Sequence, residues 1–153
     1  MKEIKTFKLI GIALKTKTTN KNGQSAIDCG NLWQKFETGG YAAKIPGKLT
    51  SEIYAVYYNY EGDHTNPFSY FIGCKVAPDA KVPHGMDSLV IPEGNYQVQK
   101  ANGKMPECIA KAWEEIWSTP ILRTYQTDFE VYGEKSKDWN DAEVDIFLSV
   151  NSN

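Results

Sequence analysis

Apolar and polar residues follow two different periodicities along the chain, and their order predicts the same series of elements twice. Alternation with a period of two, typical of strands, fills seven stretches, and helical spacing fills two stretches between them. The predicted strands cover residues 4–18, 52–60, 68–76, 86–91, 96–100, 127–132 and 142–150. With the break at residues 92–94 taken as a bend within one strand, the order is βαββ followed by βαββ.

Each predicted helix has signals at both ends. The first begins at residues 25–28, where Ser25 and Asp28 have the spacing of a capping box, and Gly39-Gly40 ends it. The second begins near Pro106 and ends at residues 119–120. The apolar stripes of the two helices are Cys29, Leu32, Trp33 and Phe36, and Ile109, Ala112, Trp113 and Ile116.

The two βαββ units align with each other in sequence at a constant offset of 74 to 75 residues. Residues 55–57 match residues 130–132, and Ile72 matches Ile146. Neither half is large enough to be stable alone, so we expect one α+β domain over residues 1–153, with halves at about 1–77 and 84–150. The expected architecture is two βαββ repeats with pseudo-twofold symmetry: a mostly antiparallel sheet with two helices on one face and a ligand groove on the other.

Charge and composition exclude several classes of function. The formal net charge is −2 and no dense basic run occurs, so no direct nucleic-acid binding is expected. We find no transmembrane-length run and no N-terminal signal, and three cysteines without CxxC spacing fit a reducing compartment, which predicts a cytoplasmic protein with no membrane contact. The two histidines, His64 and His84, lie in turn-rich loops and are expected to be exposed; no metal and no cofactor are expected.

Three segments carry a resemblance to a known family. They are residues 70–76 with Pro83-x-Gly85 and residues 91–96, then residues 103–109 with Trp113 and Ile116-Trp117, and finally residues 128–132. In this order they resemble the GyrI-like effector-binding domain, the sensor half of AraC-type and multidrug-responsive regulators. The length, without a helix-turn-helix, is similar to single-domain members, some of which come from integron gene cassettes and bind cationic drugs. Residues 118–122 depart from the family's Trp-Leu-Pro segment, which leaves the pocket rim and the ligand open.

The resemblance implies that Glu130, in an apolar strand, is the family's buried pocket glutamate. Alternation puts Asp128, Glu130 and Tyr132 on one face; if Phe129 and Val131 face the helices, Glu130 faces the groove. Aromatic side chains near a carboxylate suit a delocalised cation. The predicted ligand-binding residues are Glu130, Tyr57, Phe71, Phe147, Tyr132 and Trp33, although Trp33 belongs to a helix stripe, which favours a core position for it.

We therefore expect a small-molecule-binding module for a lipophilic, aromatic cation, rather than an enzyme. It would act as a drug sensor, as the partner of a DNA-binding regulator protein, or as a sequestering protein. Two alternatives stay open. A desolvated Glu130 could serve a hydrolase of electrophilic small molecules, and a protein-partner role of the gyrase-inhibitor kind would use an exposed apolar patch.

Overall fold

The computed structural model describes residues 2–151 and contains eight strands and three helices. The helices are α1 (Gln24–Thr38), the short α2 (Tyr41–Lys44) and α3 (Glu107–Ser118). The strands are β1 (Lys2–Ile4), β2 (Phe7–Ala13), β3 (Ile53–Tyr58), β4 (Ser69–Val76), β5 (Asp87–Ile91), β6 (Gly94–Gly103), β7 (Thr127–Tyr132) and β8 (Ala142–Val150). The predicted strand over residues 4–18 is wrong in its extent, because residues 5–6 interrupt it and the second strand ends at Ala13.

All eight strands form one antiparallel sheet in the order β1-β6-β8-β7-β3-β4-β2-β5. The first half supplies β3, β4 and β2, and the second half supplies β7, β8 and β6 in mirrored order. The halves meet where β3 pairs with β7, and there Ala55 lies directly opposite Glu130. Since these two residues are also repeat partners, the pseudo-twofold axis passes between them, which confirms the predicted α+β fold of two related halves.

The two ends of the sheet are joined to each other. β1 pairs with β6 and β2 pairs with β5 in one unbroken register, from Lys2 opposite Tyr96 to Gly11 opposite Asp87. The sheet therefore curls around the side chains of its inner face. Gly11 and Gly73, opposite each other in the β2–β4 ladder, permit a close approach, because a Cβ at either position would overlap with the facing backbone.

Residue parity assigns each strand side chain to one of two faces. Ile12, Ile72, Ala55, Glu130 and Ile146 form a row of directly paired residues across β2, β4, β3, β7 and β8. Both long helices pack on this face: the stripe of α1 covers the first half and that of α3 covers the second. The opposite face carries a helix-free aromatic cluster.

The predicted position of the groove is wrong in one respect. Glu130 faces the helices, and Phe129 and Val131 face away from them into the second cluster. The curled sheet explains the difference, because it packs much of its helix-free face against itself and leaves a cavity of about 530 Å³ there, beside Phe129 and Phe147. The larger open space, of about 1250 Å³, lies between α1 and α3 on the helix face.

The start of α1 also differs from the expected capping box. The N-cap residue is Gly23, in a left-handed conformation, with no capping side chain. Ser25 Oγ instead donates to Asn20 Oδ1, and Asp28 accepts from Thr18 Oγ1 and Gln24 Nε2. Asp28 thus ties the helix to the segment after β2 rather than capping its first turn.

Candidate ligand-binding site

A cavity of about 1250 Å³ opens between α1 and α3 above the centre of the sheet. Its floor comes from β3, β4 and β7, and its walls come from the facing sides of the two helices. Cavities that bind small molecules in proteins are usually of this size or smaller, apolar, and carry a few polar groups. The carboxylate of Glu130 is the charged group at the floor of this cavity, next to the pseudo-twofold axis.

Glu130 is 1% exposed and is held by three hydrogen-bond donors. Tyr57 Oη donates to Oε2 at 2.8 Å, Trp113 Nε1 donates to Oε2 at 2.6 Å, and Tyr132 Oη donates to Oε1 at 2.6 Å. All three donors are neutral, and none of the ion pairs found within residues 2–151 includes Glu130. The described residues therefore fix the carboxylate in place without supplying a counter-charge.

The electrostatics of this position follow from burial. Burial raises the pKa of Glu130, because a charged carboxylate is poorly solvated there, and the hydrogen bonds from Tyr132, Trp113 and Tyr57 lower it in part. Two effects raise the pKa values of Tyr57 and Tyr132 well above 10.0: burial, which is the larger, and the nearby negative charge of Glu130. These hydroxyl groups consequently stay protonated and remain donors.

Two aromatic pairs flank the carboxylate symmetrically. The ring centroids of Trp33 and Tyr132 are 5.0 Å apart with an interplanar angle of 75°, and those of Trp113 and Tyr57 are 5.0 Å apart at 62°. Each pair joins a helix of one half to a strand of the other. The pairs differ in polar contacts, because Trp33 Nε1 donates to Tyr70 Oη at 2.8 Å whereas Trp113 Nε1 donates to Glu130.

Charged side chains at the cavity are mostly acidic. Besides Glu130, the exposed residues Glu37, Glu107 and Glu114 line the opening, against Lys137 and Arg123, whose side chain is shielded from solvent. Arg123 is already paired, since its Nη2 lies 2.6 Å from Oδ2 of the fully buried Asp128. The opening therefore favours the approach of positive rather than negative molecules.

Four of the six predicted ligand-binding residues come together at this cavity. Glu130, Tyr57, Tyr132 and Trp33 all line it. Placing Phe71 and Phe147 in the same groove was wrong: Phe71 is buried in the helix-free cluster, and Phe147 stacks on Phe129 at 4.7 Å on that face. Both faces of these strands are apolar, so parity alone did not identify the cavity side.

Sequence reasoning missed Trp113, which it assigned only to the apolar stripe of the second helix. Trp113 does pack with Ile116 and Leu148, but its indole N–H also reaches Glu130. The repeat contained a usable signal, since Trp113 occupies the position in the second helix that Trp33 occupies in the first. Tyr70 and Cys29, which also line the cavity, were assigned no site role either.

His64 departs from the expected exposed loop position. Its ring is partly buried, lines the cavity, and stacks on Trp117 at 5.3 Å between ring centroids. His84 is exposed as expected. Over residues 2–151, no group of three or more acidic, histidine or cysteine side chains is arranged to bind a metal ion, and no helix has the length and apolar character needed to cross a membrane.

Known proteins share this fold and part of this sequence. An integron cassette protein from the mobile metagenome of Vibrio cholerae is 29% identical, with a TM-score of 0.70 over 98% of this chain and 94% of its own. The structure of SAV2435 bound to tetraphenylphosphonium has a TM-score of 0.78 at 17% identity, over 99% of this chain and 92% of that one, which shows a common fold.

A curated relative is YobU of Bacillus subtilis (strain 168), named as a candidate transcriptional regulator protein. It is 28% identical over 123 residues, which are 78% of this chain and 77% of YobU. The family model named Cass2, described as an integron-associated effector binding protein, matches residues 1–150. Because that match covers nearly the whole sequence, the chain belongs to the Cass2 family of integron-associated effector-binding proteins.

Proposed function

We propose that this protein binds lipophilic aromatic cations in the cavity between α1 and α3, with Glu130 supplying the counter-charge. The observation that carries the proposal is a buried carboxylate, surrounded by aromatic rings, that has no ion-pair partner within residues 2–151. An unpaired buried charge is unfavourable, so a cation entering the cavity would relieve a penalty that the free protein bears.

The aromatic walls support a flat or multi-ring cation. The Trp33–Tyr132 and Trp113–Tyr57 pairs present ring surfaces on both sides of the carboxylate. Each ring face can contribute about 0.5–2 kcal/mol of cation–π attraction, in addition to the apolar area that it covers. A compact hydrated cation would gain little from such walls, whereas an aromatic cation gains contact area and charge pairing together.

Binding, rather than proton transfer, fits the surroundings of Glu130 best. Its two oxygens already accept three hydrogen bonds, so the carboxylate is positioned to attract charge and is less available to remove a proton from a substrate. As an effector-binding module, the protein would act as a drug sensor, a partner of a DNA-binding regulator, or a sequestering protein. Its family and the regulator name of YobU are consistent with the first two roles.

The test compares two ions of the same shape and opposite charge. Tetraphenylphosphonium, the ligand in the SAV2435 structure, and tetraphenylborate are titrated into the protein by isothermal calorimetry. We expect the phosphonium to bind and the borate to show no saturable heat. Glu130→Gln should weaken phosphonium binding about tenfold or more, because the counter-charge is lost. Binding should also weaken as the pH falls, since a protonated Glu130 attracts no cation.

Glu114→Gln is the matched control, because Glu114 lines the same opening but is exposed to solvent. Exposed charges contribute little, so this variant should lose less than about threefold in affinity. Equal losses in the two variants would contradict a specific role for the buried carboxylate. Equal binding of phosphonium and borate would overturn the proposal that the cavity selects cations.

A further inference from the structure

Arg123 has N–H donors that no acceptor in the described part of the chain takes up. Its side chain is 2% exposed and it lines the cavity. Nη2 forms the ion pair with Asp128, but Nε and Nη1 have no acceptor among residues 2–151. A guanidinium group carries five N–H donors, and buried donors normally find partners. The Nε and Nη1 donors of Arg123, at the wall of the cavity, are therefore an exception to this rule.

Asp128 cannot take up these donors, because its own oxygens are occupied. Oδ1 accepts from the backbone N–H of Ser149 at 2.9 Å and from Ser149 Oγ at 3.3 Å. Oδ2 accepts from Tyr60 Oη at 2.8 Å and from Arg123 Nη2 at 2.6 Å. Asp128 and Arg123 therefore form a pair with no net charge. Both oxygens of Asp128 are fully hydrogen-bonded, whereas Nε and Nη1 of Arg123 have no acceptor among residues 2–151.

Planar groups stack around the unsatisfied side. The Arg123 guanidinium carbon lies 4.3 Å from the Tyr125 ring centroid and 5.7 Å from that of Trp113. The Tyr125 and His64 ring centroids are 6.2 Å apart, and His64 Nδ1 is also buried without a hydrogen-bond partner in the described part of the chain. Burial and the neighbouring Arg123 charge lower the pKa of His64, which favours its neutral form. The end of the cavity near Arg123 and His64, called the Arg123 end below, thus contains two side chains whose buried nitrogen atoms lack hydrogen-bond partners among residues 2–151.

This end lies close to Glu130. Asp128 and Glu130 are alternate residues of β7, so their Cα atoms are roughly 7 Å apart. Trp113 connects the two ends, since its indole N–H donates to Glu130 while its ring lies beside Arg123. A ligand of two or three rings bound at Glu130 would reach Arg123 with one substituent.

We propose that the Arg123 end of the cavity is a second subsite, which accepts a neutral oxygen acceptor, such as a ketone or ester carbonyl, carried by the bound cation. The proposal rests on the proposed function and specifies its ligand class further: aromatic cations with a carbonyl substituent. A neutral acceptor fits better than a carboxylate, because Asp128 already balances the guanidinium charge and would repel a second anion. Since Nε and Nη1 are shielded from solvent, the incoming carbonyl requires a local rearrangement of the cavity wall, to which His64 in the turn between β3 and β4 also belongs.

The test uses two derivatives of tetraphenylphosphonium that differ only in one acceptor. One phenyl ring carries a para-acetyl group, and its control carries para-isopropyl, which has the same number of heavy atoms and nearly the same shape. We expect the acetyl compound to bind the wild-type protein about fivefold more tightly by calorimetry, as one added hydrogen bond to a charged donor allows. Equal affinities for the two compounds would overturn the subsite.

Arg123→Lys is the matched variant, because lysine keeps the positive charge for Asp128 but lacks the planar Nε and Nη1 donors. In this variant the acetyl preference should disappear, so that the acetyl and isopropyl compounds bind it with affinities within about twofold of each other, whatever change the two compounds share. A retained acetyl preference would overturn the assignment to Arg123. Unsubstituted tetraphenylphosphonium separates the two proposals: if it binds and Glu130→Gln weakens it, the proposed function stands whatever the acetyl comparison gives.

Discussion

The two halves of the molecule build the same frame around the cavity but place different chemistry in it. Each half contributes one helix tryptophan and one strand tyrosine, and the crossed pairs have equal centroid separations of 5.0 Å. At the axis, however, the first half has Ala55 where the second has Glu130. As a consequence Trp33 donates to a neutral tyrosine hydroxyl, while Trp113 donates to a carboxylate.

This difference shows how a repeated fold can form a site with a single charge. Residues opposite each other on antiparallel strands have Cβ atoms about 4.5–5.5 Å apart. Two carboxylates at that separation, both buried, could not ionise together. Alanine at one of the two positions lets both halves supply donors and ring surfaces to one acid; both Tyr57 from the first half and Tyr132 from the second donate to it.

The most severe way to break this asymmetry is Ala55→Glu. It would place a second buried carboxylate directly opposite Glu130, and we expect the free energy of unfolding at pH 7 to fall by about 3 kcal/mol relative to Ala55→Gln. Ala55→Gln adds the same volume without the charge, so it isolates the electrostatic part. Urea denaturation measures both variants.

The deficit of Ala55→Glu should shrink at pH 5. Two facing carboxyls have raised pKa values in the folded state, so the folded protein binds the additional proton and gains stability as the pH falls. An equal loss for the Glu and Gln variants at both pH values would mean that crowding alone, rather than charge, explains alanine at this position.

A comparison with a smaller expected effect replaces Trp113 and Trp33, one at a time, with phenylalanine. Trp113→Phe removes a donor from Glu130, so the charged carboxylate is held less well and its pKa rises further. Trp33→Phe removes a donor from Tyr70 only. We expect the affinity for tetraphenylphosphonium at pH 7 to fall about tenfold in Trp113→Phe and less than about threefold in Trp33→Phe.

The pH dependence of binding separates the electrostatic effect from lost ring area. In Trp113→Phe, binding should be lost at a higher pH than in the wild-type protein, while Trp33→Phe should leave that pH unchanged. Similar shifts in the two variants would show that the halves contribute equally to the state of Glu130, which contradicts the comparison.

The smallest expected effect is a gain in stability. In Glu130→Gln the amide oxygen can accept from Tyr57 and Trp113, and the amide N–H can donate to the Tyr132 hydroxyl, so the three contacts are retained without a buried charge. Because the folded-state pKa of Glu130 is raised above 4.5, the stability of the wild-type protein falls as the pH rises above that value. The variant should therefore be more stable at pH 7 by about 1 kcal/mol, with a smaller gain at pH 5. A loss of stability at pH 7 in urea denaturation would show that the charge itself holds the site together.

Most of the fold could be predicted from the sequence because its signals are local or periodic. The constant repeat offset, the stripes of α1 and α3, and the alternation in β8 each depend on residues close together in the chain. The break after β1 and the side of the cavity could not be predicted in this way. They depend on the sheet curling until its ends join, which buries both faces of strands such as β4 and removes the contrast that parity needs.

The residues of the candidate site could be predicted from the sequence only in part, because some of them carry no local or periodic signal. Glu130 stands out as a charge in an apolar strand, and Tyr57 and Tyr132 follow from its repeat and parity. Trp113 looks like an ordinary core residue, since part of its ring packs in the core while its indole nitrogen reaches Glu130. Asp128 lies in β7, but its partner Arg123 lies in the irregular segment before that strand, where spacing gives no prediction of which side chains meet.

The ladder that joins the ends of the sheet also sets the order in which the chain can be completed during synthesis. Lys2 pairs with Tyr96, and the segment between them includes the whole first half of the repeat. At translation rates of about 5–20 residues per second, the first strand waits roughly 5–20 s before its partner is made. During that interval β1 and the outer edge of β2 are open to pairing with another chain. The nascent chain is therefore exposed to misassembly at its N-terminal strands until the second half has left the ribosome.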